Sequence, residues 1–196
     1  MGTRKEGRIM FNDKKLLEAF KTILQEIDPE PQRDGLKDTP KRMLGYFKEL
    51  FEGANYTNED IAEMFDKQFE IGSKDLVIMN GIHCFSHCEH HCALMELEIN
   101  IAYIPKNGKV LGLSKFPRIC DMVCKRLQVQ ERIGMDICDI LQLLGMEDVM
   151  VVIDGRHACV NARGIKQPQT VTRTNSLRGR FEFDLPLKNE VLNSIK

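Results

Sequence analysis

Nine residues constrain this chain more than any others. Cys84 to Cys92 reads Cys-Phe-Ser-His-Cys-Glu-His-His-Cys. Four of the five histidines (His83, His87, His90, His91) and three of the seven cysteines lie in or beside it. Thiolates and imidazoles packed this densely are what a tetrahedral zinc site needs. The fifth histidine, His157, stands two residues before another cysteine, Cys159. A fold that brings these two distant pieces together around one metal would organise the rest of the chain.

The 196 residues fit one domain with a sizeable core, or one domain behind a small helical part. Hydrophobic residues at 42% and charged residues at 29% mark a globular chain. A net charge of −1 offers no general field for nucleic acid, so an anionic ligand must be held by a local cluster of Lys and Arg. No apolar run is long enough to span a membrane. No apolar stretch follows Met-Gly-Thr-Arg-Lys-Glu, so no signal peptide is expected. Gly2 resembles the start of a myristoylation signal, but Glu6 stands where Ser or Thr is required. An odd number of cysteines mixed with histidines fits a reduced, cytoplasmic compartment better than a disulfide framework.

Residues 14–27 place Leu16, Leu17, Phe20, Ile23, Leu24 and Ile27 at helical spacing, with Asn12 or Asp13 as cap. Thr39-Pro40 reads as N-cap and first residue of a second helix, which Gly53 stops. A third helix fits Asn58 to Phe65. From Lys67 the pattern turns to strands: Phe69 and Ile71, then Leu76 to Met79, broken by Gly72-Ser73 and Asn80-Gly81. Met95, Leu97, Ile99, Ile101 and Tyr103 alternate with Glu96, Glu98, Asn100 and Ala102, as in a half-buried antiparallel strand. Asn107-Gly108 turns it, so that Lys109 to Leu113 can pair back. Ser114 caps a helix carrying Ile119, Met122, Val123 and Leu127. A second long helix carries Ile133, Ile137, Ile140, Leu141 and Leu144 and closes at Gly145. Val149 to Ile153 reads as a buried strand, Thr170 to Thr174 as a last β run, and Leu187 to Ile195 as a terminal helix. Strands and helices in blocks indicate an α+β fold with an antiparallel sheet.

Cys84, Cys88, His91 and Cys92 could supply the four ligands of a structural zinc knot. The second piece suggests otherwise. If residues 156–163 are extended, His157, Cys159, Asn161 and Arg163 share one face and form a site wall. Cys88, His91 and Cys159 would then make three protein ligands and leave a fourth position for water, the catalytic arrangement. His90 and His157 remain as proton carriers. Lys115 and Arg118 follow Ser114 in the first turn of a helix, a natural phosphate site, and Arg163 adds a further cation. The Gly-x4-Gly-Lys-Ser/Thr loop is absent, which excludes P-loop binding of a nucleotide. Gln130-Glu131 opens a helix; an amide beside a carboxylate can read a guanine edge, or merely complement the helix dipole.

Cys88-Glu89-His90-His91, Leu111-Gly112-Leu113-Ser114-Lys115, Gln128-Val129-Gln130-Glu131-Arg132 and His157-Ala158-Cys159 with Ala162-Arg163-Gly164 resemble the GTP cyclohydrolase I family in order and spacing. Thr39-Pro40-Lys41-Arg42 resembles that family's N-terminal helix motif. The likeness runs from about Gln32 to about Phe181. It implies the tunnelling fold, an antiparallel sheet with two helices packed on one side. A helical segment over residues 1–66 would precede a catalytic domain over 67–196. It implies pentameric barrels stacked into a homodecamer, with sites shared between subunits. It implies conversion of GTP and water to formate and 7,8-dihydroneopterin triphosphate, the first step of folate, pterin or 7-deazaguanine biosynthesis. Zn2+ would be held by Cys88, His91 and Cys159, and zinc-activated water would attack C8 of the purine. His157 would protonate the imidazole ring and His90 would assist ring opening. Glu131, with Gln130, would hold the guanine. Ser114, Lys115, Arg118 and Arg163 would hold ribose and triphosphate, with Arg42 reaching in from a neighbouring subunit. Gly45 departs from members that carry a phosphate-contacting lysine there. Cys84, His87 and Cys92 crowd the metal motif more than is typical.

Overall fold

The structure is a computed structural model and describes residues 11–195; the Gly2 and Glu6 positions lie outside the described residues. Helix α1 (Asp13–Ile27) starts at Asn12, whose side chain accepts from Lys15 N at 3.0 Å. Helix α2 (Thr39–Leu50) begins one residue earlier than Thr39 as a cap would require: Asp38 takes the N-cap position, and Pro40 sits in the first turn where its missing N–H costs nothing. The two helices pack through Phe20 and Phe47, ring centroids 5.0 Å apart. Helix α3 (Asn58–Phe65) opens with a reciprocal capping box between Thr57 and Asp60. Its Ile61 and Ala62 are buried in the same core as the sheet.

Strand β1 (Gln68–Glu70) leads to β2 (Val77–Cys88), which is longer than the sequence pattern suggests. Asn80-Gly81 does not break it. Gly81 adopts φ +73°, and the register against β3 (Leu94–Ile104) shifts between Met79 and Ile82. The extra residues form a bulge, and Asn100 Oδ1 accepts from Gly81 N at 2.9 Å inside it. Strand β4 (Lys109–Leu111) pairs with β1, not back along β3 as the Asn107-Gly108 turn suggested. Helix α4 (Lys115–Cys124) stops before Leu127, which lies exposed in the two-residue β5 (Leu127–Gln128). Then come α5 (Gln130–Leu143), β6 (Asp148–His157), a single helical turn α6 (Ala158–Asn161), β7 (Thr172–Arg178) and α7 (Leu185–Ser194).

The main sheet has the order β5-β2-β3-β6-β7. Strands β2, β3, β6 and β7 run antiparallel, and β5 joins β2 in parallel through His87↔Leu127 and Cys88↔Gln128. Leu97, Ile99, Ile101 and Tyr103 of β3 and Val149, Val151 and Ile153 of β6 point to one face. There they meet Ile119 and Val123 of α4 and Ile133, Ile137, Ile140 and Leu141 of α5. Each such fully buried aliphatic chain contributes about 1.5–3 kcal/mol. The alternate residues Ala102, Met150 and Val152 are buried too, under Phe181, Val191 and Ile195. That explains why Val149 to Ile153 is apolar throughout. The fold is thus α+β with α4 and α5 on one side of the sheet, and α7 covers part of the other.

Candidate metal centre and active site

Strand β2 delivers Cys88 to the edge of the core. The chain then reverses: Cys92 N donates to Cys88 O and Cys88 N to Ala93 O, both at 2.9 Å, with Cys92 at φ +49°. This turn folds His91 back over Cys88, with Sγ and Nδ1 3.9 Å apart. The β3–β6 register places Met95 opposite His157, so the chain leaving β6 passes beside the turn.

It does not stay extended there. Strand β6 ends at His157, and residues 158–161 coil into α6, which overturns the single face expected for residues 156–163. Asn161 is not in a site wall. Its side-chain nitrogen donates to Gln167 O at 2.6 Å and Thr170 O at 3.2 Å and so closes the following loop. The helical turn still presents Cys159 to the other two ligands. The donor atoms of Cys88, His91 and Cys159 all lie within 4.8 Å of one another. Tetrahedral zinc with two thiolates and an imidazole has ligand–ligand edges of about 3.5–3.8 Å, so closure by about 1 Å at the widest pair suffices. Burial and the neighbouring Cys88 thiol push the Cys159 thiol up, a penalty that a bound cation would reverse.

The surrounding Cys and His residues turn elsewhere. Cys84 is buried against α4, where its thiol and burial raise the pKa of Cys124 well above normal. His87 packs edge-on to Phe51, ring centroids 5.8 Å apart, and burial lowers its pKa. His83 lines a cleft on the other sheet face with Glu96, Glu98 and Arg173. Cys92 is exposed on the turn. Among the described residues, Cys88, His91 and Cys159 are the one group of three His, Cys, Asp or Glu side chains placed so that they could hold a metal.

Beside them sits a polar core that the sequence did not reveal. His157 Nε2 lies 2.7 Å from Gln130 Oε1. Gln130 is only 2% exposed, and its Nε2 faces Ile153 O, Thr172 O and Thr174 Oγ1 at 2.9, 2.9 and 3.1 Å. Its amide is therefore occupied within the protein. Burial lowers the pKa of His157, and the nearby Glu131 carboxylate partly restores it. Glu131 is exposed in the first turn of α5. His90 is exposed next to His91, ring centroids 6.2 Å apart. Arg132 pairs with Glu89 at 2.7 Å, which ties the His90–His91 turn to the start of α5 and holds the Glu89 carboxyl below its usual pKa.

The cations are less gathered. Ser114 occupies the N-cap position of α4 but makes no side-chain cap bond. Lys115 lies over the Phe65 ring at 6.0 Å, and Arg118 is exposed. Arg163 is near enough to Cys159 to favour its thiolate. Arg42 is exposed on α2, 4.0 Å from Asp38 of its own helix. Among the described residues, no hydrogen bond or ion pair links Arg42, Lys115 or Arg118 to the Cys/His cluster.

Comparison with known proteins decides the family. The family model described as GTP cyclohydrolase I matches residues 16–196. The chain belongs to the GTP cyclohydrolase I family. It is 49% identical over 187 residues to GTP cyclohydrolase 1 of Clostridium botulinum (strain Kyoto / Type A2), covering 91% of this chain and 95% of that protein. It is 48% identical to the protein of that name from Ruminiclostridium cellulolyticum, with 91% and 95% covered. The Clostridium acetobutylicum protein is 45% identical, with 92% and 96% covered. As a GTP cyclohydrolase I family enzyme, the chain carries its Cys/His cluster where β2 and β6 end and β3 begins. Gln130 at the start of a helix carried no sequence signal of burial. Gly155, opposite Leu97 in the sheet, was the one available hint, because a glycine inside an apolar strand marks a close approach.

Proposed function

We propose that this family member is a zinc-dependent GTP cyclohydrolase that converts GTP and water to formate and 7,8-dihydroneopterin triphosphate. The observation that carries the reading is the Cys88–His91–Cys159 group, two soft thiols and an imidazole converging as three of the four ligands that a tetrahedral zinc takes. Zinc held there would polarise water into a nucleophile at neutral pH for attack at C8 of the purine. The chain's own residues do the rest. His157 moves a proton to and from the imidazole ring of the base, and His90, exposed beside the ligands, assists ring opening. Glu131 accepts from the guanine N–H groups. Ser114, Lys115 and Arg118 at the start of α4, with Arg163, hold the ribose and triphosphate, where a helix N-terminus adds to their positive charge.

Among the described residues, Arg42 pairs only with Asp38 of its own helix, at 4.0 Å, which fits a site completed by a neighbouring subunit that supplies its Arg42. Residues 67–196 then form the catalytic domain, in the tunnelling fold and a decamer of two pentamers, with residues 1–66 as its helical segment. The enzyme works in the cytoplasm. Purified, zinc-loaded protein given GTP releases formate and 7,8-dihydroneopterin triphosphate in equal amounts, and Cys159→Ala abolishes both. Folded, zinc-loaded protein that releases no formate overturns the proposal.

A further inference from the structure

We infer that Gln130 is a positioning residue that fixes the ring of His157 as its Nε2–H tautomer, which leaves Nδ1 as the ring's acceptor. The inference deepens the acid–base reading of this site and rests on it for its mechanistic meaning. The argument is an accounting of hydrogen bonds. The Gln130 side chain is buried, and its nitrogen faces the carbonyls of Ile153 and Thr172, both at 2.9 Å. A flipped amide would set its oxygen against two carbonyl oxygens in a buried place, so the orientation is fixed. The oxygen must then face His157 Nε2, at 2.7 Å. A carbonyl can only accept, so Nε2 carries a proton in the neutral ring. The bond also fixes the ring plane, so Nδ1 is presented in one orientation.

A second observation points the same way. A Cβ on Gly155 would stand 2.2 Å from Gln130 Oε1 and 2.9 Å from Leu97 Cδ2. The strand beside His157 thus leaves room for this amide and for no side chain of its own.

The test is 15N solid-state NMR on zinc-loaded, full-length protein labelled at histidine, with His157 assigned by its loss in His157→Gln. The wild-type spectrum should show His157 protonated at Nε2 and bare at Nδ1 when the ring is neutral. Gln130→Met, close in shape but without the acceptor, should mix the tautomers and lower kcat at least tenfold with KM for GTP changed less than threefold. Thr174→Val removes one of three anchors and should leave the tautomer intact. If Gln130→Met does not fold, the wild-type spectrum still decides. His157 bare at Nε2 overturns the inference. The expected tautomer in a protein that releases no formate overturns the proposed reaction instead.

Discussion

Arg126 tests whether the helical part before the sheet is fastened at one point. Its guanidinium donates to Asn58 Oδ1 at 2.9 Å, Asp136 Oδ2 at 3.0 Å, Tyr56 O at 3.0 Å and Gly53 O at 3.3 Å. Three of those partners belong to the segment that leads into or starts α3, and Asp136 belongs to α5. The crossing is tight, since a Cβ on Gly53 would stand 1.9 Å from Met122 O. Arg126→Met keeps most of the volume and removes every donor. Breaking a buried pair costs about 3–5 kcal/mol. The side chains here are 15% and 17% exposed, and Asp136 keeps donors from Gln128 at 2.9 Å and Asn58 at 3.2 Å. The lower end applies, about 3 kcal/mol. In hydrogen exchange that corresponds to α3 amides opening about a hundredfold more often, while β3 amides change little. Arg178→Ala at the more exposed Arg178–Asp139 pair is the control, with a cost below about 1 kcal/mol. A change under threefold in α3, or an equal change throughout the sheet, would refute the idea of a local fastening.

Gly155→Ala should fold with a cost of about 1–3 kcal/mol from overpacking, keep its zinc, and lose most of its turnover because Gln130 must move; zinc content and formate release read this together. Thiol titration of native, zinc-loaded protein should show one fast group per chain, the exposed Cys92, and Cys92→Ser should remove it. Cys138, pushed by burial to about 12, and the buried Cys120 and Cys124 should react only on unfolding. Asp184 accepts from Leu187 N at 3.1 Å and from Arg180 at 3.0 Å, and these bonds hold its pKa below the ordinary 3.8. Its folded value lies below its unfolded value, so its stabilisation is present above that ordinary value and is lost as pH falls through the folded one. Protection of α7 amides should drop in that acid range, and Asp184→Ala should show the drop already at neutral pH.

Period-two alternation in β3, helical spacing in α4 and α5, and the density of Cys and His were legible because each is set by local chemistry. Residue type pointed to a metal but left Cys84, Cys88, His91 and Cys92 open; the family resemblance implied Cys88, His91 and Cys159, whose donor atoms lie within 4.8 Å of one another. Other features depend on contacts between distant segments. The bulge at Gly81 needs β3 beside it before Asn80-Gly81 can be told from a turn. The switch from β6 to α6 after His157 depends on the loop that Asn161 closes through Gln167 and Thr170. Gln130 looked like any polar residue opening a helix, and only the approach of β6 and β7 shows it to be buried. The second apolar layer under α7 was written in Val149 to Ile153, but the sequence did not say which segment would cover it.

Zinc-edge X-ray absorption on the protein without GTP tests the central claim most directly. Three protein ligands with an open position predict two sulfurs, from Cys88 and Cys159, one imidazole nitrogen from His91 and one further light atom from water. Cys159→Ser should drop the count to one sulfur. A spectrum with three or four sulfurs would mean that Cys84 or Cys92 closes the site, and would contradict the reading of this cluster as a catalytic centre.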